Sequence, residues 1–182
     1  MKVTGENRIS LSVTELVRFA AAGGDIDLRF AGEHRRSMNI GAAVHRRIQK
    51  SAGALYVPEV PLSYTTVCDG IEYTVSGRAD GIIETPDGEV TIDEIKTTRI
   101  PPEMIASDVH EMHFSQGAIY AWFYCFDKHL GDINVRLTYY DTEDDKIYKS
   151  IRDYSASDVK NIFYSMLHSI EPIARAALER KN

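Results

Sequence analysis

The stretch Thr85-Pro86-Asp87-Gly88-Glu89 constrains this chain more than any other. Pro86 and Asp87 suit the centre of a type I turn, and Gly88 suits the left-handed position of a G1 bulge. Runs rich in Val, Ile, Thr and Tyr flank the turn, GIEYTVSGRADGIIE before it and EVTIDEIKTT after it, so the segment reads as a hairpin. A three-residue loop pairs Thr85 with Glu89. Stepping back along one strand and forward along the other then sets Asp80 opposite Glu94. Directly opposed residues have Cβ atoms about 4.5–5.5 Å apart, and like charges so placed repel. Side chains alternate between the faces of a strand, so Glu94 and Lys96 share a face and Asp93 points the other way. Asp80, Glu94 and Lys96 are thus expected together.

Two readings remain for that trio. Lys96 bridges two acids on a solvated sheet, or a divalent cation sits between the carboxylates and removes their repulsion. Ile82, Ile83, Ile92 and Ile95 make both strands largely apolar, which suits a central hairpin. Ionised groups in such surroundings need a partner or a metal. Oxygen ligands favour Mg²⁺ or Mn²⁺.

The rest of the chain reads as one domain spanning residues 1–182, long enough to bury a core. Ser12 and Glu15 form a capping box for a helix over 13–22, which Gly23-Gly24 ends. Ile40, Val44 and Ile48 recur every four residues in a second helix over 37–50. LYVPEVPLSYTTV (55–67) is a further strand, ahead of the hairpin, and Pro101-Pro102 stops the hairpin's second strand. A long helix covers 108–128, with Trp122, Phe123 and Phe126 reading as core. INVRLTYYDT and KIYKSIRDY form a second hairpin, and Ser155 with Asp158 caps a last helix running to about Glu179. Two helices, three strands, a helix, two strands and a helix make an α/β or α+β domain, with a mixed sheet flanked by helices.

The formal charge of −6 argues against a wholly basic nucleic-acid surface, but net charge hides patches. Segment 29–50 carries Arg29, Arg35, Arg36, Arg46, Arg47 and Lys50 against the single acid Glu33. It is either a solvated face or a polyanion contact. The N-terminus has no apolar secretory core, and GAIYAWFYCF (117–126) is shorter than the ~20 residues that span a bilayer, so no membrane partner is expected. Cys68 and Cys125 form no CxxC pair and are expected as free thiols in a reducing cytoplasm.

Taken in order, the motifs GAAVHRRIQ, SGRADGI, DEIKTT and QGAIY resemble the PD-(D/E)XK nuclease superfamily, and within it the RecB-like branch. That branch has a His on a helix ahead of the sheet, a GRxD strand, a D/E-x-K-T strand and a Q-x-x-x-Y helix, here supplied by His45, Asp80, Glu94 with Lys96, and Gln116 with Tyr120. The match runs over residues 12–140. The layout is also similar to the nuclease-like segment ahead of the motor in bacterial XPD/DinG-like helicases, although no GxxxxGK[ST] motor motif occurs here.

The resemblance implies a restriction-endonuclease-like core with Asp80 and Glu94 as ligands of Mg²⁺ or Mn²⁺, the Ile95 carbonyl as a third oxygen, and His45 as a further ligand. A nitrogen ligand shifts preference towards Mn²⁺, and the alternative for His45 is an ordinary core or surface histidine. Lys96 would orient the attacking water or help deprotonate it. Arg46 and Arg47 are candidates for nucleic-acid phosphates, as is Arg99. Gln116 and Tyr120, four apart, share a helix face: Gln116 would hydrogen-bond near the site, and Tyr120 would stack on or contact the substrate strand. Glu59 pairs with Arg78 or touches the site. His110 and His113 lack a third ligand and read as surface residues. Some RecB-like nucleases hold an iron–sulfur cluster on four cysteines, which a chain with two cannot build, so no cluster is expected.

The expectation is therefore a metal-dependent DNA nuclease, an exonuclease by resemblance, placed in DNA repair or recombination by analogy. The rivals are a non-catalytic DNA-binding module that guides an attached or partner helicase, and a structural protein whose acids form ion pairs.

Overall fold

The computed structural model describes residues 1–23 and 34–180, for 34–40 the backbone alone. Arg29 and Glu33 therefore lie outside the described residues, as do the side chains of Arg35, Arg36 and Ile40. The elements run β1 (Lys2–Gly5), β2 (Arg8–Ser12), α1 (Val13–Ala22), α2 (His34–Ser51), β3 (Tyr56–Cys68), β4 (Ile71–Glu84) and β5 (Val90–Thr98). A 3-10 turn at Pro102–Met104, α3 (Ser107–Lys128), β6 (Asp132–Asp141), β7 (Lys146–Ser155) and α4 (Ala156–Glu179) complete the chain. This is an α+β domain: a mixed seven-stranded sheet with helices on it, consistent with a restriction-endonuclease-like core. No helix among the described residues is long and apolar enough to cross a membrane.

Local chemistry sets most boundaries. Ser12 Oγ accepts the Glu15 amide at 3.0 Å while a Glu15 carboxylate oxygen takes the Ser12 amide at 2.8 Å, closing the box that starts α1. Ser155 and Asp158 do the same for α4, both bonds at 3.0 Å. The hairpin turn is the expected one: the Thr85 amide donates to the Glu89 carbonyl at 2.9 Å, and Gly88 sits at φ 89°, which an L side chain would resist.

Two departures stand out. Helix α2 begins at His34 rather than at Ser37. The hairpin of β1 and β2 was not expected, and β2 goes on to pair with β4 in parallel, Arg8 with Glu72 through Ser12 with Ser76. Strands of four and five residues carry too little alternation to be read alone, and the second partner of β2 lies far along the chain, Arg8 meeting Glu72.

Strand β4 organises the sheet. β3 lines one of its edges almost end to end, from Cys68 with Ile71 to Tyr56 with Ile83. The other edge is shared. β2 covers Glu72–Ser76, and antiparallel β5 covers Gly81–Glu84. Residues Gly77 to Asp80 fall between the two ladders. Beyond this gap β5 turns away to run parallel with β6, which pairs with β7.

The main core lies between the sheet and α1, α3 and α4, with Leu16, Phe114, Ile119, Phe163 and Leu167 all at most 1 % exposed. Fully burying such a side chain stabilises the fold by about 1.5–3 kcal/mol. Helix α2 makes a smaller cluster, in which Val44 and Ile48 pack on Ile95 and Tyr140. Trp122 and Phe123 are buried as expected, but Phe126 is 55 % exposed. It lies at the last turn of α3, where its ring meets Tyr64 edge-on at 4.9 Å rather than entering the core.

Candidate metal centre

The gap in the β4 edge is where the acids meet. The β4–β5 ladder stops at Gly81 with Asp93, one step short of Asp80 with Glu94. The register is the one expected, but the two acids are not a ladder pair, because the strands separate there. Asp80 Oδ2 accepts the Ile95 amide at 2.7 Å in place of a strand carbonyl, and Asp80 Oδ1 lies 3.3 Å from His45 Nδ1. On β4 itself, the Tyr120 hydroxyl comes up against the strand at Gly77. A side chain at Gly77 would crowd that phenol, since a Cβ there would lie 2.5 Å from its oxygen. Buried backbone groups must find partners, and here Asp80 supplies one across the split.

Glu94 and Lys96 share a face, as strand parity requires. Lys96 Nζ sits 2.9 Å from Glu94 Oε1 and donates to Gln116 Oε1, also at 2.9 Å. Glu94 is 3 % exposed, and its Oε2 has no hydrogen-bond partner. Burial pushes the Glu94 carboxyl up to about 7, with the Asp80 charge acting in the same direction and Lys96 and His45 against it. His45 also lies above its ordinary value: burial disfavours its charged form, but the Asp80 hydrogen bond and the Asp80 and Glu94 charges outweigh it.

The chain thus brings His45, Asp80, Glu94, Ile95, Lys96 and Gln116 together from α2, β4, β5 and α3. Each acid has a partner of its own, His45 for Asp80 and Lys96 for Glu94. The donor types, two carboxylates and an imidazole with one carboxylate oxygen buried and unsatisfied, are those a hard divalent ion takes, but their donor atoms do not all lie within 4.8 Å of one another; among the described residues only Cys68, Asp69 and His168 meet that spacing.

Other expected residues stand further off. Tyr120 is 3 % exposed, and burial pushes its phenol up, so its ring is core and cannot stack on a substrate strand. Arg46 and Arg99 are exposed. Arg47 is exposed too but engaged, its guanidinium 4.7 Å from the Tyr140 ring centre and 3.5 Å from Asp145. Glu59 approaches Arg78 at 3.9 Å and accepts from Gln49 at 2.8 Å.

Sequence reasoning missed Gln49, whose Nε2 also donates to the Asp80 carbonyl at 2.9 Å and ties α2 to the split strand. Its signal was available: Gln49 lies four residues after His45 and so on the same helix face. His110 and His113 are half-buried rather than exposed. Both rings pack on Tyr139, and His113 Nδ1 lies 2.6 Å from its hydroxyl. Burial, helped by the Lys96 and His110 charges, pulls His113 down to about 3.

The comparisons with known proteins reach the fold. No family model matches the chain, and no curated protein matches it. Among solved structures, SSO0001 is similar over 92 % of this chain and 78 % of its own, with a TM-score of 0.61 at 21 % identity. A phage-related exonuclease from Haemophilus somnus 129PT is also found, covering 92 % of this chain and 82 % of its own at 11 % identity, with a TM-score of 0.48.

Proposed function

We propose that this chain is a divalent-metal-dependent DNA nuclease of the PD-(D/E)XK, RecB-like kind, an exonuclease acting in DNA repair or recombination. The observation that most supports the reading is Glu94 Oε2, a buried carboxylate oxygen with no partner, beside Asp80 and within a lysine's reach. An unsatisfied buried acceptor costs about 1–3 kcal/mol or more; Asp141 Oδ2 is left short in the same way, so the support lies in the Glu94 oxygen being grouped with Lys96, His45 and Asp80.

Asp80, Glu94, His45 and the Ile95 carbonyl would hold Mg²⁺ or Mn²⁺. Such an ion supplies Lewis-acid charge at the phosphate and acidifies nearby water. Lys96, steered by Glu94 and Gln116, orients the attacking water and offsets negative charge as it grows on phosphorus. The water oxygen bonds to phosphorus in line as the bond to the leaving sugar oxygen breaks. Water gives up a proton and the leaving oxygen takes one up. Arg46, Arg47 and Arg99 would meet phosphates further along the strand. For Arg47 this means exchanging Asp145 for the substrate.

The test is incubation of the full chain with end-labelled single- and double-stranded DNA and Mg²⁺ or Mn²⁺, beside Glu94→Ala and Lys96→Ala. Cleavage that needs metal and vanishes in both variants is expected. DNA binding without cleavage in either metal would replace the proposal with a module that guides a helicase. Neither binding nor cleavage would leave a structural protein.

A further inference from the structure

The opposite end of β4 carries a second group of donor atoms. β3 ends at Cys68 and β4 begins at Ile71, so Asp69 and Gly70 make the turn. Both are left-handed, at φ 52° and 75°, as a tight two-residue hairpin loop requires. This turn sets the Asp69 carboxylate beside the Cys68 thiol, and α4 lays His168 against both. His168 Nδ1 is 2.7 Å from Asp69 Oδ2 and 3.6 Å from Cys68 Sγ, and that sulfur is 3.5 Å from Asp69 Oδ2. All three donor atoms lie within 4.8 Å of one another.

Those spacings can be set against a metal. Tetrahedral zinc bonds, about 2.3 Å to sulfur and about 2.0–2.1 Å to nitrogen and oxygen, put sulfur about 3.6 Å from nitrogen and about 3.5 Å from oxygen. Both edges are already present. The third, nitrogen to oxygen, is about 3.3 Å in the same tetrahedron, so the contact now at 2.7 Å would open slightly as a cation replaces the shared proton. An ordinary surface ion pair explains the His168–Asp69 contact alone. It does not explain a 5 % exposed thiol turned towards both groups. Arg175 donates to the Asp69 carbonyl at 2.7 Å and so fixes the turn to α4. Next to the cluster, the wholly buried Tyr73 hydroxyl has no partner and lies within electrostatic reach of Cys68 and Asp69.

We infer that Cys68, Asp69 and His168 form a transition-metal site suited to Zn²⁺, which clamps the β3–β4 turn to α4. A thiolate and an imidazole select zinc over the hard ions that suit the acid site. Asp69 and His168 are exposed, so the fourth corner is open to water. The site is separate from the first: Ile71 and Asp80 are nine strand residues apart, roughly 30 Å at the rise of a β-strand.

Cobalt reports on this site because only a thiolate ligand gives a sulfur-to-cobalt charge-transfer band in the near ultraviolet. Titration of the reduced full chain with Co²⁺ should raise that band to one equivalent, and Zn²⁺ should displace it. The band should be absent in Cys68→Ser and kept in Cys125→Ser and in Glu94→Gln. Affinity should fall at least roughly 10–100-fold in His168→Gln, since even outer partners of a metal cost that much. Zn²⁺ should also raise the thermal midpoint of the Glu94→Gln chain, and should not do so once Cys68→Ser is added. No thiolate band in the wild-type protein, or a band that survives Cys68→Ser, overturns the inference. Should Cys68→Ser fail to fold, undiminished Co²⁺ affinity in His168→Gln overturns it equally.

Discussion

Asp93 and Glu94 are neighbours on one strand, both carboxylates and both buried, and their surroundings are opposite in kind. Asp93 is wholly buried and fully partnered: Tyr56 donates its hydroxyl at 2.7 Å, Arg136 its Nε at 2.9 Å and Thr138 its hydroxyl at 2.6 Å. Glu94, on the other face, has one oxygen on Lys96 and the other on nothing. A polar group buried for the sake of the fold is satisfied within the fold. A group kept ready for an external ligand is left short. Adjacent residues of like charge and like burial can therefore be told apart by counting their partners.

The comparison can be broken most sharply at Asp93. Asp93→Ala removes one member of a buried pair and strands Arg136, which should cost about 3–5 kcal/mol in urea unfolding. A loss under about 1 kcal/mol would mean the network is not holding the fold. Glu94→Gln is the mirror experiment. On the proposed function, removing the Glu94 charge should lower DNA cleavage by about 100-fold or more. The thermal midpoint of the metal-free protein should stay level or rise, because a neutral amide is cheaper to bury than an unsatisfied carboxylate. A fall comparable to that of Asp93→Ala would erase the distinction between the two faces.

His113 sharpens the comparison, since it is an ionisable group kept neutral by its burial. Its folded value, about 3, lies below its ordinary 6.5, so the unfolded chain binds the extra proton first. Its contribution to stability is complete above pH 6.5 and is lost as pH falls towards 3, at up to about 1.4 kcal/mol per pH unit. Glu94, raised from 4.5 to about 7, pulls the slope the other way in the same window, so the check is a difference: wild-type stability minus that of His113→Gln, by urea unfolding between pH 7.5 and 5, should show this slope. The smallest effect is expected at Gln116, which holds Lys96 from α3. Gln116→Leu leaves the Glu94 contact intact and should slow cleavage by about tenfold at nearly unchanged stability. An unchanged rate would take Gln116 out of the site.

What was legible in the sequence was local. Turn chemistry at Pro86–Gly88 gave the hairpin register, and register with parity separated Glu94 from Asp93. Capping boxes gave the starts of α1 and α4. His45 and Gln116 came from the resemblance; the structure sets His45 beside Asp80 and Gln116 on Lys96. What could not be read depends on distant partners. The β2–β4 pairing joins Arg8 to Glu72, the Asp93 network joins β5 to β3 and β6, and the half-buried setting of His113 includes Tyr139 from β6. Tyr120 shows the limit from another side: it was expected to touch a substrate strand, but its ring is part of the core.

Because β2 and β5 dock along one side of β4 and neither reaches Gly77–Asp80, the notch between them is defined by where two neighbours stop. Lengthening both ladders by two residues each would zip that notch shut without substituting any residue lining it. Variation in the lengths of these strands is then as direct a threat to the acids as substitution of the acids themselves.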